Sequence, residues 1–182
     1  MKTLYFNKQS NAVLKRDKLV LNSQFKQDLL NELTKLNYKF EFGRNTAWLG
    51  SKGLDYRYTG SSHIATGWTP ATEILTDKVR AFLLTNNRKA YFNHLLVNQY
   101  KAGMSLNKHR DNEPELRSVI ASLSLGDDAY FHYGNQDGWA KILLSDLDIL
   151  IGNRSFFNTV THSVSEPKNG GIRYNLTWRT IV

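Results

Sequence analysis

Cysteine is absent from this 182-residue chain, and proline occurs only three times. Without cysteine the chain forms no disulfide, thiolate zinc site or cysteine nucleophile, so any metal must be held by histidine or carboxylate side chains. No apolar run reaches the roughly 18 residues of a transmembrane helix, and residues 1–10 lack the apolar stretch of a signal peptide. We therefore expect an intracellular protein, cytoplasmic or, in a eukaryote, nuclear, that is neither secreted nor bound to a membrane.

Acidic residues are in the minority, with 16 Asp and Glu against 24 Lys and Arg, which gives a net charge of +8. Most of the excess lies in residues 1–60, where 11 basic residues face 5 acidic ones. A basic chain of this kind favours polyanionic partners such as nucleic acid. A solvated basic surface that only keeps the chain soluble would give the same numbers.

The order of predicted elements is helices first and short strands afterwards. Apolar residues recur at helical spacing over 24–36 and over 70–84, and Thr69-Pro70 is typical of a helix start. After residue 90 the chain changes to short β-type runs separated by turn signals, at 92–100, 119–125, 129–133, 140–144, 148–151, 156–159 and 173–182. This order predicts a jelly roll or barrel with helices against one face.

Residues 42–67 have a different character, because glycine recurs there between aromatic residues. The segment predicts loops or irregular hairpins that present Trp48, Tyr56 and Tyr58 as a lid or recognition surface.

Histidine and aspartate at alternate positions form the first candidate site. On an extended segment His109 and Asp111 point to one side, and His162 is the best candidate for a third ligand. Two histidines and one carboxylate would form a facial triad that leaves half of a metal's coordination positions open. Taken alone, the His-x-Asp pair is also compatible with a purely structural role.

The last strand carries the second candidate site. Arg173, Asn175, Thr177 and Arg179 share one face of it, and Tyr174, Leu176 and Trp178 share the other. Buried arginines need anionic partners, and their forked guanidinium groups suit a small dicarboxylate. Asn98 and Tyr100 share a face of an earlier strand and could bind the same ligand. The alternative is an edge strand whose polar face meets water or pairs with Asp146 and Asp148.

Together these motifs resemble the AlkB family. Asn98-Gln99-Tyr100 begins eleven residues before His109, and His109-Arg110-Asp111, His162 and Arg173-x-Asn175-x-Thr177-x-Arg179 follow in the family's order. The resemblance covers roughly residues 43–182. It implies an α+β, mainly β fold, a double-stranded β-helix (jelly roll) with two supporting N-terminal helices and a nucleotide-recognition lid.

The resemblance also implies iron(II), 2-oxoglutarate and O2 as cofactor and co-substrates. His109, Asp111 and His162 match the family's iron ligands. Arg179 matches the arginine that grips the distal carboxylate of 2-oxoglutarate, and its other polar contacts are matched by Asn98, Tyr100, Arg173 and Asn175.

Four further residues match or lie near substrate contacts of the family. Tyr58 stands where an aromatic ring stacks on the flipped base, and Glu113 where an acidic residue reads the base edge. Tyr56 and Arg110 are secondary candidates for substrate binding. A solvated loop carboxylate is the alternative for Glu113.

The prediction that follows is a single AlkB-like dioxygenase domain over 1–182, with an N-terminal strand and helix as support in 1–42, the recognition lid in 43–69 and the jelly-roll catalytic core in 90–182. We expect a monomer that demethylates 1-methyladenine- or 3-methylcytosine-type bases in DNA or RNA, releasing formaldehyde and succinate. The short segment before Arg44 favours single strands. The alternatives are an oxygenase of the same fold that acts on protein or lipid, and a non-catalytic nucleic-acid-binding jelly roll.

Overall fold

A computed structural model describes residues 1–58, 61–136 and 138–182, except for the side chains of Tyr58 and Ser118. Its helices are α1 (Ser23–Thr34), α2 (Pro70–Thr85) and α3 (Arg154–Thr159). The side chain of Asn22 caps α1, and the side chain of Thr69 caps α2 directly before its proline. Among the described residues, no helix combines the length and apolar character needed to cross a bilayer.

The strands of the described residues form three antiparallel sheets. They are β1 (Lys2–Asn7), β2 (Ala12–Lys18), β3 (Lys39–Glu41), β4 (Arg44–Gly50), β5 (Asp55–Tyr58), β6 (Ser61–Ile64), β7 (His94–Tyr100), β8 (Leu106–His109), β9 (Leu116–Gly126), β10 (Ala129–Asn135), β11 (Gly138–Leu144), β12 (Asp148–Asn153), β13 (Thr161–Val164) and β14 (Arg173–Ile181). The major sheet has the order β1-β2-β12-β9-β14-β7-β4-β3, and the minor sheet the order β11-β10-β13-β8. The third sheet is the β5–β6 hairpin.

One face of the major sheet packs against α1 and α2. Leu176 and Trp178 of β14 lie in this core with Leu75 and Val79 of α2, all fully buried. The indole Nε1 of Trp178 donates a hydrogen bond of 2.8 Å to Thr76 Oγ1 on α2. The predicted helices therefore pack where the pattern placed them, behind the sheet that carries the candidate site.

The other face of the major sheet packs against the minor sheet across a second core, which includes Phe131, Tyr133, Leu150 and Phe156. Side chains alternate along each strand, so neighbouring positions of β14 point to opposite cores. This mainly β arrangement of two packed antiparallel sheets confirms the expected jelly roll.

Two predictions about the chain's organisation are wrong. The run 156–159 is not a strand but most of α3, because the Asn153 side chain accepts a hydrogen bond from Phe156 N at 3.0 Å and starts a helix there. Residues 43–69 are not all lid. β4 pairs with β7 inside the major sheet, and β1 and β2 extend that sheet beside β12.

Candidate active site

Three ligand-type side chains meet between the two sheets, at the end of β8. His109 ends β8 and pairs in register with His162 of β13, so both imidazoles start from neighbouring strands. Asp111 follows two residues after His109, and its backbone N–H donates to Phe157 O at 3.0 Å. The short helix α3 thus holds the segment that delivers the carboxylate.

The distances within this triad suit a single metal ion. Asp111 Oδ1 lies 4.0 Å from His109 Nε2, and Asp111 Oδ2 lies 3.8 Å from His162 Nε2. Two atoms bonded at about 2.1 Å to one ion can be up to about 4.2 Å apart. A donor set of two nitrogens and one carboxylate, with no thiolate, is the set that holds iron(II) in oxygenases.

Both imidazoles are fixed in the tautomer that metal binding needs. His109 Nδ1 lies 2.8 Å from Asn107 O, and His162 Nδ1 lies 3.2 Å from Val160 O. A carbonyl oxygen only accepts, so Nδ1 carries the proton and Nε2 presents its lone pair to the triad.

The electrostatics of the triad favour ligand protonation states that bind a metal. Burial lowers the pKa of His162 to about 4, with His109 adding to the shift, so its imidazole is neutral at pH 7. Burial by itself would raise the pKa of Asp111. The Arg179 guanidinium, followed by the neighbouring His162 and His109 rings, outweighs this effect and holds that pKa below the ordinary value.

Arg173 lies fully buried at the start of β14, six residues or roughly 20 Å along the strand from Arg179. Its Nη2 donates to Ser124 Oγ at 2.9 Å, and its guanidinium carbon lies 5.3 Å from the centre of the Tyr100 ring. Among the described residues, Nε and Nη1 of Arg173 have no hydrogen-bond partner. Buried guanidinium N–H groups without a partner are costly, and they point to a bound anion.

A chain of hydrogen bonds joins four neighbouring strands of the major sheet beside Arg173. Arg44 Nε on β4 donates to Asn98 Oδ1 on β7 at 2.6 Å, and Asn98 Nδ2 donates to Asn175 Oδ1 on β14 at 3.2 Å. Asn175 Nδ2 in turn donates to Ser122 Oγ on β9 at 2.7 Å. These bonds orient the predicted co-substrate residues Asn98 and Asn175, which line one cavity with Tyr100 and Arg173.

Arg179 stands at the opposite end of that cavity from the place its predicted role requires. Its Nη2 lies 3.4 Å from Asp111 Oδ1, so it belongs to the metal end. Arg173 is the arginine at the end away from the metal. This placement makes Arg173 a better candidate than Arg179 for a distal carboxylate, and the role of each arginine stays a prediction.

The cavity as a whole has an excess of positive charge. Its lining, among the described residues, includes the guanidinium groups of Arg44, Arg173 and Arg179 but only one carboxylate, that of Asp111. A dianion would offset the excess, and the orphaned N–H groups of Arg173 suit a carboxylate. This cavity fits 2-oxoglutarate on the evidence of its own side chains.

Tyr56 and Glu113 are brought together above the triad. Tyr56 is fully buried and lies close enough to the Glu113 carboxylate to favour its charged form, and the Arg179 guanidinium carbon lies 5.8 Å from the Tyr56 ring centre. Burial, followed by the nearby Asp111 charge, raises the pKa of Glu113. Its Oε2 is buried and, in the described part of the chain, without a hydrogen-bond partner. Glu113 is thus not the solvated loop carboxylate of the alternative interpretation.

The remaining substrate candidates are placed differently. The Tyr58 side chain lies outside the described residues. Arg110 does not line the cavity, because it points to the outer side of the minor sheet, where its Nε donates to Thr161 Oγ1 at 3.1 Å. Behind Tyr56, a cluster of buried rings supports the site, with Trp48 stacked on His63 at 4.1 Å and the His94 ring 5.1 Å from Tyr56.

Sequence reasoning missed Arg44 and Ser124 as members of the site. Arg44 was placed in a glycine-rich lid, although Arg44, Thr46 and Trp48 alternate as strand residues do. Ser124 carries no recognisable signal of its own, because a serine in an apolar strand becomes informative only when Arg173 is known to lie beside it.

Comparisons with known proteins agree with this geometry. Residues 3–179 match the 2OG-Fe(II) oxygenase superfamily. The chain belongs to that superfamily. Within it, the chain is 38% identical over 93 residues to the alpha-ketoglutarate-dependent dioxygenase AlkB of Salmonella typhimurium, a match that covers 46% of this chain and 43% of the relative. The predicted AlkB-like character is therefore confirmed.

A second relative and a solved structure cover more of this 2OG-Fe(II) oxygenase. The RNA replication protein of Papaya mosaic potexvirus is 28% identical over 165 residues, which is 89% of this chain but 10% of the viral protein. The structure of OsALKBH1 superposes with a TM-score of 0.72 at 21% identity and covers 98% of this chain and 99% of that one. The chain thus spans less than half the length of these two sequence relatives, and the structural likeness confirms the fold.

Members of this superfamily use iron(II), 2-oxoglutarate and O2, and the residues of this chain fit all three. His109, Asp111 and His162 are the residues whose ligand atoms come together in the structure. Three protein ligands leave positions free for a 2-oxo acid and for O2. The individual site roles stay predictions, which the experiments below test.

Proposed function

We propose that this protein oxidatively removes N-alkyl groups from nucleic-acid bases of the 1-methyladenine and 3-methylcytosine type. The observation that carries the proposal is the single cavity in which the His109–Asp111–His162 triad faces a set of buried arginines. When bound at the triad, iron(II) would supply the oxidation of the N-alkyl carbon at the expense of 2-oxoglutarate and O2. The products are the free base, formaldehyde, succinate and CO2.

The two arginines of β14 have separate roles in this proposal. Arg173, buried beside Tyr100 and Ser124, binds the distal carboxylate of 2-oxoglutarate. Arg179, in contact with Asp111, orients that carboxylate ligand and stabilises negative charge at the 2-oxo acid end. The hydrogen-bonded pair of Asn98 and Asn175 holds the middle of the cavity rigid, so that the 2-oxo group is delivered to the metal in one orientation.

Base recognition is assigned to Tyr56 and Glu113, with Tyr58 as the stacking ring. The free Oε2 of Glu113 can accept a hydrogen bond from the exocyclic amino group of adenine or cytosine. A carboxylate and electron-rich rings also favour the positive charge that these bases carry when methylated. The similarity to AlkB and the net charge of +8 support nucleic acid as the substrate class.

The test is formaldehyde and succinate release from methylated oligonucleotides, with iron(II), 2-oxoglutarate and ascorbate present. The panel crosses 1-methyladenine and 3-methylcytosine with single-stranded DNA, duplex DNA and RNA. Asp111→Ala and His109→Ala should abolish release. Asp77→Ala is the matched control, since it removes an exposed carboxylate from α2 and should leave the rate unchanged.

Two results would count against the proposal. Release at the wild-type rate by His109→Ala, with its fold verified by circular dichroism, would contradict the metal assignment. No release from any oligonucleotide by the wild-type protein, with succinate still forming from 2-oxoglutarate, would contradict the substrate class.

A further inference from the structure

The outer face of the minor sheet carries several basic and aromatic side chains. His162 and Tyr133 pair in register and point inward, so the positions next to them along β13 and β10 point away from the core. On this outward side, basic and aromatic side chains alternate. We call this surface the outer basic face, and it consists of Lys108, Arg110, Tyr130, His132, Trp139 and Lys141.

Two cation–aromatic pairs lie across the outer basic face. Lys108 Nζ of β8 lies 4.2 Å from the Trp139 ring centre of β11, and Lys141 Nζ lies 5.0 Å from the Tyr130 ring centre. Lys108 and Trp139 come from opposite edges of the four-stranded sheet, so the lysine reaches over the two strands between them. Trp139 keeps 47% of its surface exposed although it is a large apolar residue.

A glycine makes the position of Trp139 possible. Gly134 of β10 pairs in register with Trp139, and a Cβ atom at residue 134 would lie 3.0 Å from Trp139 Cδ2 and 2.3 Å from Gly138 O. The indole therefore lies down against the backbone of β10 instead of standing up from the sheet.

The charges on this face have one sign. Among the described outward positions of its four strands, the side chains are basic, aromatic, hydroxylic, apolar or absent, and none is a carboxylate. Two acidic residues near the edge of this face form hydrogen bonds with backbone N–H groups of neighbouring loops. Glu166 Oε2 accepts from Gly103 N at 2.8 Å, and Asp127 Oδ2 accepts from Gly171 N at 2.8 Å. The lysines and Arg110 are thus left to attract an external anion.

We propose that the outer basic face binds single-stranded nucleic acid and leads it to the active site. Phosphates would meet Lys108, Arg110 and Lys141, while unpaired bases stack on Trp139 and Tyr130. A lysine above a ring can move to a phosphate while a base takes its place on the ring. Base stacking on exposed aromatic rings needs bases without a partner strand, which is why the surface selects single strands.

The outer basic face reaches the triad at the end of β8, and the inference rests on the proposed function in this respect. Arg110 stands between the triad members His109 and Asp111, and its partner Thr161 is the neighbour of His162. The end of β8 and the residues that follow it thus hold the metal ligands His109 and Asp111 on the inner side and Lys108 and Arg110 on the outer side. A strand lying on the outer face needs to pass only the end of β8 to place one base over the triad.

The binding test is fluorescence anisotropy with an undamaged, labelled single-stranded oligonucleotide at several salt concentrations. Trp139→Ala should raise Kd by about 5- to 150-fold, as expected for the loss of one stacked base, and Trp139→Phe should restore most of the affinity. Lys108→Ala should weaken binding and reduce the slope of log K against log salt by about 0.7. The matched control is Lys78→Ala, which removes a lysine 5.5 Å from the Phe25 ring on the helical side and should leave Kd within about twofold.

Turnover of a free methylated nucleoside, which is too short to reach the outer face, separates this inference from the proposed function. Trp139→Ala should turn over the nucleoside at the wild-type rate and the oligonucleotide with a raised KM. Wild-type oligonucleotide affinity in Trp139→Ala and Lys108→Ala would overturn the outer-face proposal and leave the proposed function standing. Tighter binding of duplex than of single strand would also overturn it. A wild-type protein that binds through Trp139 yet demethylates no substrate would instead overturn the proposed function.

Discussion

Both faces of β14 are buried, but one packs against apolar side chains and the other lines a cavity. Toward α1 and α2, Leu176 and Trp178 are fully buried in a close-packed apolar core. Toward the minor sheet, Arg173 and Arg179 are 0% and 4% exposed and line a cavity. Burial alone therefore does not distinguish the structural side of this strand from the functional one.

The two faces of β14 differ in whether their buried polar atoms have hydrogen-bond partners. The apolar side is complete, since Trp178 Nε1 donates to Thr76 and the Tyr174 hydroxyl accepts from Gln99. On the cavity side, Arg173 keeps two buried guanidinium nitrogens, Nε and Nη1, without a hydrogen-bond partner among the described residues. Leaving a buried charged donor without a hydrogen-bond acceptor costs stability, so such groups are expected where a bound ligand accepts their hydrogen bonds. The comparison predicts that one side governs folding and the other governs co-substrate binding.

Trp178→Ala should give the largest effect, and it should be confined to stability. Removing a fully buried indole leaves a cavity between β14 and α2, which typically costs about 3–5 kcal/mol of unfolding free energy. Urea unfolding of the metal-free protein measures the loss. Trp178→Phe is the conservative control and should cost less. An unfolding free energy within about 1 kcal/mol of the wild type would mean that this side of β14 does not govern folding.

Arg173→Met should affect co-substrate binding and not stability. Truncating one partner of a buried charge pair costs about 2–5 kcal/mol, which corresponds to at least a roughly 30-fold rise in the KM for 2-oxoglutarate. The metal-free variant should unfold at the same urea concentration or a higher one, because the change removes an uncompensated buried charge.

A monocarboxylic 2-oxo acid of the same length separates the roles of the two arginines. Arg173→Met should lose the wild-type preference for 2-oxoglutarate over this analogue, since the distal carboxylate no longer has its partner. Arg179→Met, changed at the metal end, should impair both co-substrates alike. The opposite pattern would return the distal carboxylate to Arg179.

Thr177→Val should give the smallest effect on the cavity side. The Thr177 hydroxyl donates to Asn175 Oδ1 at 3.0 Å, and this oxygen also accepts from Asn98, so the loss is of one bond in a shared network. We expect about 0.5–1.5 kcal/mol, seen as a KM for 2-oxoglutarate raised up to about tenfold. A KM change as large as that of Arg173→Met would show that Thr177 contacts the co-substrate directly.

Short segments of the sequence were enough to predict several helices and strands and most of the candidate site residues. The caps and apolar spacing of α1 and α2, the alternation of β14, and the spacing of Asn98, His109 and Asp111 are all encoded within short segments. Such features follow from backbone periodicity and side-chain type, so they can be read without knowing what lies opposite. Where a local signal was misjudged, as at Asn153 before α3, the cap residue was present in the sequence but a strand was favoured.

Tertiary structure decided what pairs across the sheets. The position of β4 beside β7, the contact of Arg179 with Asp111, and the pairing of Tyr56 with Glu113 all join segments far apart in the chain. The sequence indicates on which face of a strand a side chain lies, but not in which direction the strand runs relative to the metal site. The pattern of β14 alone could therefore not show which of its two arginines lies beside the metal ligands. That order is set by the antiparallel register of β14 between β7 and β9, which packing of the apolar side against α2 holds in place.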